Sequence, residues 1–354
     1  HWLLFLLQWY CWKTVKPNMN QDIKDRAAGC LLGALCGDAA GATLEFLDHD
    51  PTETEAALAM NMPGGGELEV APGQITDDGE LTLCLAQSLT SSKCFDLEAV
   101  ARGYYKWIES RPFDIGFTTS FSLGAPKNRD MTDQSYANTM IEEAAKLCVT
   151  SKANGSLMRI TPLGVWGHNL PTEQLTDFAI TDTSLSHPNH SCRYAVASYT
   201  IAIATLVNKG DRQLAFNNAR NWLDSQANLA KDPEQYKSWA EVSSWLYDAA
   251  DNIDVAYFPQ AGFVKIAFTH AFRHLILGSD YESAIAETLR GGGDTDTNAC
   301  IVGGLIGAAV GEKKIPEAMK NAVLNCDTSE GKHFRPSFLH PQQVPKLIDS
   351  LLNI

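Results

Sequence analysis

Apolar residues along the chain recur mostly at helical spacing. From Asp25 to the C-terminus, Ala- and Leu-rich segments are separated by clusters of Gly, Pro, Asn and Asp, and alternating strand-like runs are scarce. The pattern predicts helices in the segment after Asp25 and at residues 81–91, 97–110, 135–148, 191–209, 236–250, 260–277, 281–289, 297–310 and 344–352. No Ser/Gly-rich linker divides these segments. We therefore expect an all-α fold in which residues 19–354 form a single compact multi-helix domain.

Two of the predicted helices carry a glycine at every fourth position, which places these glycines on one helix face. The stripes consist of Gly29, Gly33, Gly37 and Gly41 in the first helix and Gly303, Gly307 and Gly311 in the other. Because glycine inside a helix costs roughly 1 kcal/mol relative to alanine, repeated glycine predicts a close crossing of two core helices. Asp38 and Glu45 interrupt the first stripe, and neither segment is an uninterrupted apolar run. We expect no membrane span.

The first 18 residues differ from the rest of the chain. Residues 2–12 are strongly apolar and contain three tryptophans and a tyrosine, but they are too few to cross a bilayer. They also make a poor signal peptide, since no Lys or Arg precedes the run and no small-residue cleavage site follows it. Two interpretations remain: a segment translated upstream of Met19, or a genuine arm whose aromatic side chains anchor a partner.

Charge and cysteine content narrow the class of protein. The chain of 354 residues is 45% hydrophobic, with a formal net charge of −14. This charge would repel a nucleic-acid backbone, so we expect no nucleic-acid polymer as a partner. The nine cysteines are scattered and include no C-x-x-C pair, which is typical of free thiols in a reducing compartment. A cytoplasmic location is the expectation.

Two short acidic clusters carry the candidate chemistry. The first, GQITDDGE at residues 73–80, precedes an apolar helical run, and taken alone it is typical of a helix cap with Thr76 as the N-cap. The second, GGGDTDTN at residues 291–298, places two carboxylates and a hydroxyl within four residues. It is neither an EF-hand, since Leu305 stands at the twelfth position, nor a dinucleotide-binding fingerprint, since it follows a predicted helix.

If the two clusters converge, they form a negative pocket made only of oxygen donors. Such a donor set suits Mg²⁺ or Mn²⁺ and disfavours zinc. Two metal ions about 3.5–4 Å apart could hold vicinal hydroxyls and activate a water molecule.

Six motifs, taken together, resemble the ADP-ribosylglycohydrolase family, which includes dinitrogenase-reductase-activating glycohydrolases and ADP-ribosylarginine hydrolases. In chain order they are GALCGDAAGATLE at 33–45, TDD at 76–78, FDIG at 113–116, NGSLMR at 154–159, SHP at 186–188 and GGDTDT at 292–297. Each is weak alone, but their order and spacing over most of residues 25–310 make the resemblance specific. It implies an all-α fold with a binuclear metal site.

The resemblance also assigns candidate site residues. Two Mg²⁺ ions, or Mn²⁺ in some members, would be held by Thr76, Asp77, Asp78, Asp294, Asp296 and Thr297. Candidates for lining the ADP-ribose are Asn154, Gly155, Ser156, Gly291, Gly292 and Gly293, with His187 nearby.

Some of these assignments leave alternatives open. Glu45 or Asp78 is the candidate general base, although Glu45 could also be an ordinary helix-end glutamate. Asp114 is the candidate that assists the leaving group, although an aspartate in a turn also bonds local backbone. Arg159 could meet a phosphate or bridge two helices through a carboxylate.

The expected function is magnesium-dependent hydrolysis of the N-glycosidic bond between ADP-ribose and a protein side chain, and arginine is the expected side chain. The partners would be an ADP-ribosylated protein and ADP-ribose. An alternative is an immunity protein or antitoxin that binds an ADP-ribosylating toxin, with the aromatic arm of residues 1–18 contributing to docking.

Overall fold

The computed structural model describes residues 19–92 and 94–353. These residues form sixteen α-helices: α1 Met19–Gly41, α2 Glu53–Ala59, α3 Asp77–Ser91, α4 Leu97–Glu109, α5 Phe117–Leu123, α6 Tyr136–Leu147, α7 Thr161–Trp166, α8 Thr172–Ser184, α9 His190–Lys209, α10 Arg212–Gln226, α11 Pro233–Ala250, α12 Val264–Leu277, α13 Tyr281–Gly291, α14 Thr295–Val310, α15 Glu317–Leu324 and α16 Val344–Leu352. Extended pairing in the described part is confined to two isolated bridges, Gly65 with Val70 and Ala153 with Phe263. The all-α prediction is confirmed.

All ten helices expected from the apolar pattern are present, and the pattern misses six others. The missed helices are α2, α5, α7, α8, α10 and α15. Helix α10 shows why, because its polar sequence buries only a narrow apolar face that includes Phe216 and Leu223. Its first turn is fixed by Asp211, whose side chain accepts a hydrogen bond from the Leu214 amide at 2.9 Å. The stability of such a helix comes from its cap and its packing, and its weak apolar periodicity gives little signal in the sequence.

Helices α1 and α14 cross at the centre of the domain with their backbones in contact. A Cβ atom built on Gly33 would lie 2.3 Å from the carbonyl oxygen of Gly303, and one built on Gly29 would lie 2.3 Å from that of Gly307. Only glycine permits this approach. The predicted close crossing of the two glycine stripes is confirmed.

Helix α1 is also the one helix in the described residues that is long and apolar enough to cross a membrane by composition. However, 94% of the most apolar stretch of this helix is buried inside the protein. The length and hydropathy of α1 are accounted for by its place in the core.

The apolar arm predicted at residues 1–18 lies outside the described residues. Both interpretations of it, and the toxin docking that depends on it, therefore stay predictions.

Candidate metal centre and substrate cleft

The structure brings the two acidic clusters together. Asp77 and Asp78 lie in the first turn of α3, while Asp294 is the N-cap of α14 and Asp296 lies in its first turn. The Thr297 hydroxyl donates a hydrogen bond to Oδ2 of Asp78 at 3.1 Å and so joins the two helix ends. Both N-termini carry positive partial charge, which favours carboxylates at this junction.

Three overlapping groups of carboxylates surround the junction, and in each group one oxygen per residue lies within 4.8 Å of the others. The groups are Asp38 with Asp78 and Asp296, Glu45 with Asp294 and Asp296, and Asp77 with Asp114 and Asp296. Asp296 belongs to all three and therefore stands at the centre of the cluster.

Burial and mutual repulsion make this cluster unstable as a set of free anions. Burial raises the pKa of Asp77, Asp78 and Asp296 well above the usual range, and the neighbouring carboxylates raise each of them further. The residues lining the adjoining cleft include no Lys or Arg. Cations or retained protons must therefore balance the charge.

The donor set fits a hard divalent cation. Oδ1 of Asp78 is buried and has no hydrogen-bond partner in the described part of the chain, so a lone pair remains free to coordinate. The other nearby donors are carboxylate and hydroxyl oxygens, which suit a magnesium-like ion rather than zinc. The centre is thus a candidate metal site.

Asp38 is a site residue that the sequence reasoning did not select. Its buried carboxylate accepts hydrogen bonds from the Thr76 amide at 3.0 Å, the Thr76 hydroxyl at 2.8 Å and the Gly79 amide at 2.8 Å. Asp38 of α1 therefore caps the N-terminus of α3. Thr76 occupies the predicted N-cap position, but its side chain makes no capping bond, because its hydroxyl donates to Asp38 instead. The signal available in the sequence was a charged aspartate within a glycine-rich and otherwise apolar helical run.

Glu45 binds the N-terminus of α14 in a similar way. Its Oε2 accepts hydrogen bonds from the Thr295 amide at 2.8 Å and the Thr295 hydroxyl at 2.9 Å. Burial and the nearby Asp294 raise the pKa of Glu45 to about 7. The interpretation of Glu45 as a solvated helix-end residue is wrong, since the side chain is buried against α14.

A cleft of about 450 Å³ opens directly onto the carboxylate cluster. Asp114, Asn154, Gly155 and His187, all selected from the sequence, line this cleft. The nitrogen of the Asn154 side-chain amide donates to Oδ2 of Asp294 at 2.8 Å, which connects the NGSLMR segment to the N-cap of α14. Asp114 is half-buried, and burial together with Asp294 raises its pKa.

His187 presents a ring nitrogen to the cleft. Arg159 can only donate, and it donates to Oγ of Ser186 at 2.9 Å, while Nδ1 of His187 lies 2.8 Å from the same oxygen. The tautomer that gives the Ser186 hydroxyl proton an acceptor is the one in which this hydroxyl donates to Nδ1 and Nε2 carries the imidazole proton, and we assign His187 on that ground. Nε2 is buried without a partner among the described residues. Burial and Arg159 lower the pKa of His187 to about 3, so the ring stays neutral.

Arg159 itself does not reach the cleft. It is fully buried and forms an ion pair with Asp182 at 3.1 Å. Of the two interpretations, the structure favours the carboxylate partner over the phosphate contact, but Arg159 stands in the turn before α7, so the bridge joins that turn to α8 rather than two helices.

Four residues predicted to contact ADP-ribose do not line the cleft: Ser156, Gly291, Gly292 and Gly293. Ser156 is fully buried, Gly291 ends α13, and Gly292 and Gly293 turn the chain toward α14. Gly291 packs against the Tyr257 ring, where a Cβ atom would lie 2.2 Å from a ring carbon, so close packing accounts for this glycine. Thr76 and Asp78 also lie beneath the cleft surface.

The cleft residues that the sequence reasoning missed include Phe46, Phe117 and Thr119. Phe46 directly follows the acidic residue that ends the first motif, Phe117 directly follows FDIG, and Thr119 lies three residues after FDIG. Position next to these motifs was therefore the only signal in the sequence.

Comparison with known proteins agrees with this geometry. A protein of Acanthamoeba polyphaga mimivirus that carries the name ADP-ribosyl glycohydrolase is 32% identical over 88% of this chain and 94% of its own length. The ADP-ribosyl-[dinitrogen reductase] glycohydrolase of Rhodospirillum rubrum is 26% identical over 83% of this chain and 89% of its own. The ADP-ribosylarginine hydrolase of Pseudomonas putida is 30% identical over 46% of this chain and 42% of its own.

A solved structure described as an ADP-ribosylglycohydrolase-related protein complex has the same fold. It superposes with a TM-score of 0.69 at 21% identity, over 94% of this chain and 99% of its own. The model of the ADP-ribosylglycohydrolase family matches residues 19–351. This match spans the acidic helix ends, the cleft and the crossing of α1 with α14. The chain belongs to the ADP-ribosylglycohydrolase family.

Proposed function

We propose that this protein removes ADP-ribose from modified arginine side chains of proteins, with two Mg²⁺ ions, or Mn²⁺, in its active centre. The observation that carries the proposal is the convergence of the first turns of α3 and α14 on one carboxylate cluster that opens into a ligand-sized cleft. A fixed cluster of oxygen donors beside a concave pocket is what metal-assisted glycoside hydrolysis requires.

The six residues Thr76, Asp77, Asp78, Asp294, Asp296 and Thr297 would hold the ions, with Glu45 beside them. Bound Mg²⁺ would supply positive charge to the ribose hydroxyls and would lower the pKa of a water molecule. Because Asp38 and Glu45 fix the first turns of the two helices, these donors need little rearrangement when the substrate arrives.

Two carboxyl groups suit proton transfer at the scissile bond. Asp78 has one oxygen without a protein partner and is our candidate for orienting the attacking water. Asp114 lines the cleft with a raised pKa, so it keeps its proton to higher pH and can donate it to the leaving nitrogen. Oε2 of Glu45 already accepts two hydrogen bonds from Thr295 of α14, which favours a supporting role.

The ADP-ribose would be held largely by neutral donors. The cleft lining offers the Asn154 side chain, the Thr119 hydroxyl and Nε2–H of His187, and it includes no Lys or Arg. These three residues form one edge of the cleft. Gly155 keeps this edge open, since a Cβ atom there would lie 2.8 Å from the Thr119 hydroxyl and 3.1 Å from Nε2 of His187. We infer that this edge binds the diphosphate or the distal ribose.

Arginine is the proposed linkage for two reasons. The Pseudomonas putida relative carries the name ADP-ribosylarginine hydrolase and is similar over nearly half of this chain. The carboxylate-lined cleft also favours a cationic leaving group such as guanidinium. The eight cysteines in the described residues are all free, which supports the proposal of a reducing, cytoplasmic location.

The test is release of ADP-ribose from an arginine-modified protein, with Mg²⁺ and with EDTA. Asp77→Ala combined with Asp78→Ala should abolish release and the binding of Mg²⁺ measured by calorimetry. Asp224→Ala, which removes an exposed carboxylate of α10, serves as the control and should behave like the unmodified protein. Magnesium-independent release, or release that survives the double substitution, would contradict the proposal.

The antitoxin alternative depends on residues 1–18, and no feature of the described residues favours it. If the intact chain released no ADP-ribose from any linkage yet bound an ADP-ribosylating toxin, and if deleting residues 2–18 abolished that binding, this alternative would replace the enzyme proposal.

A further inference from the structure

Two phenylalanines stand exposed at the rim of the cleft. The side chain of Phe46 is 64% exposed and that of Phe117 is 77% exposed, and both line the cleft. Phe117 is backed by Phe121, whose ring centre lies 6.0 Å away. Phe46 has no aromatic neighbour among the ring pairs of the described residues.

Phe46 also has an unfavourable backbone conformation. Its φ angle of +61° lies in the left-handed region, which bulky residues rarely adopt. The conformation is imposed by its neighbours: Glu45 is tied to the start of α14, and the carbonyl of Thr43 lies against Gly66. Strain of this kind persists where the surrounding structure over-determines it, and it clusters at functional sites. Here the strain directs an apolar ring toward the mouth of the cleft and leaves it largely in water.

The charge around this ring is negative. Glu45, Asp77, Asp114, Asp294 and Asp296 are the acidic residues of the same lining, which includes no Lys or Arg, so these five carboxylates exceed the four positive charges that two bound divalent ions would bring. An aromatic face next to carboxylates attracts a cation, and guanidinium is the side-chain cation that stacks on aromatic rings best.

We propose that Phe46 is a specificity-determining residue that stacks on the guanidinium of the modified arginine, on the leaving-group side of the scissile bond. This inference rests on the proposed function and adds to it a residue that distinguishes arginine-linked from other ADP-ribose. Phe117, the other exposed ring of the lining, would contact flanking parts of the protein substrate.

The kinetic test compares Phe46→Leu with the unmodified protein on an arginine-linked and a serine-linked ADP-ribosyl peptide. Leucine keeps the apolar bulk and removes the ring face. KM for the arginine-linked peptide should rise by roughly threefold to tenfold with little change in kcat, which is the range of a cation–π contact. KM for the serine-linked peptide and the Kd for free ADP-ribose should stay unchanged. Phe334→Leu is the control, because Phe334 is 72% exposed but does not line the cleft.

Each other result would overturn the inference. An unchanged KM would exclude the contact. A weaker Kd for ADP-ribose would mean that the ring stacks on the adenine instead. An equal rise for both peptides would mean a general apolar contact.

A binding test separates this inference from the proposed function. Arginine amide and its neutral analogue citrulline amide are titrated into the protein saturated with Mg²⁺ and ADP-ribose, and binding is followed by NMR. Arginine amide should bind better than citrulline amide, and Phe46→Leu should remove the difference. If the unmodified protein failed to hydrolyse arginine-linked ADP-ribose, the proposed function would fail, while this titration would still decide whether Phe46 recognises guanidinium.

Discussion

Replacing Gly33 by alanine tests the central crossing most directly. A Cβ atom at Gly33 would lie 2.3 Å from the Gly303 carbonyl oxygen and 3.1 Å from Cα of Gly307, both of which are main-chain atoms of α14. The first distance is about 1 Å inside ordinary van der Waals contact. Since neither atom can rotate away, the two helices must separate.

The expected change in the free energy of unfolding follows from two opposing effects. Overpacking a core costs typically 1–3 kcal/mol, and a clash between backbones belongs at about the upper end of that range. Alanine regains roughly 1 kcal/mol of helix propensity. We therefore expect Gly33→Ala to lower the free energy of unfolding by about 2 kcal/mol and Tm by a few °C. Since α1 carries Asp38 and α14 carries Asp296, the affinity for Mg²⁺ should fall as well.

The assay is urea unfolding of the metal-free protein, with Mg²⁺ affinity from calorimetry. Gly103→Ala is the matched control within α4, because a Cβ atom there would meet only Oγ of Ser88, at 2.6 Å, and the Cys84 carbonyl at 3.5 Å. The Ser88 side chain can rotate, so the stability of this variant should change by less than about 1 kcal/mol. Equal stability of the two variants would refute the backbone-to-backbone packing of α1 and α14.

Three further predictions concern charge. Asp296→Asn removes the carboxylate common to all three groups, so it should raise Tm of the metal-free protein, and adding Mg²⁺ should then raise Tm no further. A lower Tm of the metal-free variant would contradict the repulsion among the buried carboxylates. Asp38 and Glu45 have pKa values raised to about 7 in the native state, so between their ordinary values and pH 7 the native state binds protons that the unfolded chain has lost. Stability of the metal-free protein should therefore rise as the pH falls from 8 toward 5, measured by Tm, and Mg²⁺ binding near pH 6 should release protons, measured by calorimetry in buffers of different ionisation enthalpy. Arg335→Met should destabilise the protein by about 3–5 kcal/mol in urea unfolding, because it leaves the buried Glu80 without its counter-charge, and adding Glu80→Gln should recover part of the loss.

The sequence by itself determined the class of fold and the chemical character of the site. Helical periodicity marked the long helices, because each buries a face that recurs every turn. The spacing of glycines predicted the crossing of α1 and α14, since glycine inside a helix has little use except close approach. The acidic clusters and the six motifs identified the donor atoms and the family, because both depend only on residue type and order along the chain.

Only the tertiary structure decided how these donors are held and what surrounds them. Asp38 is 38 residues from Thr76 in sequence, and Glu45 is 250 residues from Thr295, yet these pairs fix the N-termini of α3 and α14. Residues 291–293 were predicted to line the ADP-ribose, but Gly291 ends α13 against the Tyr257 ring and the next two glycines turn the chain toward α14. Phe46 gave no periodic signal, since its exposure and its backbone angle come from neighbours in the fold. Local patterns report the face that a single helix buries, whereas the partner of a buried polar group is chosen by the packing of distant segments.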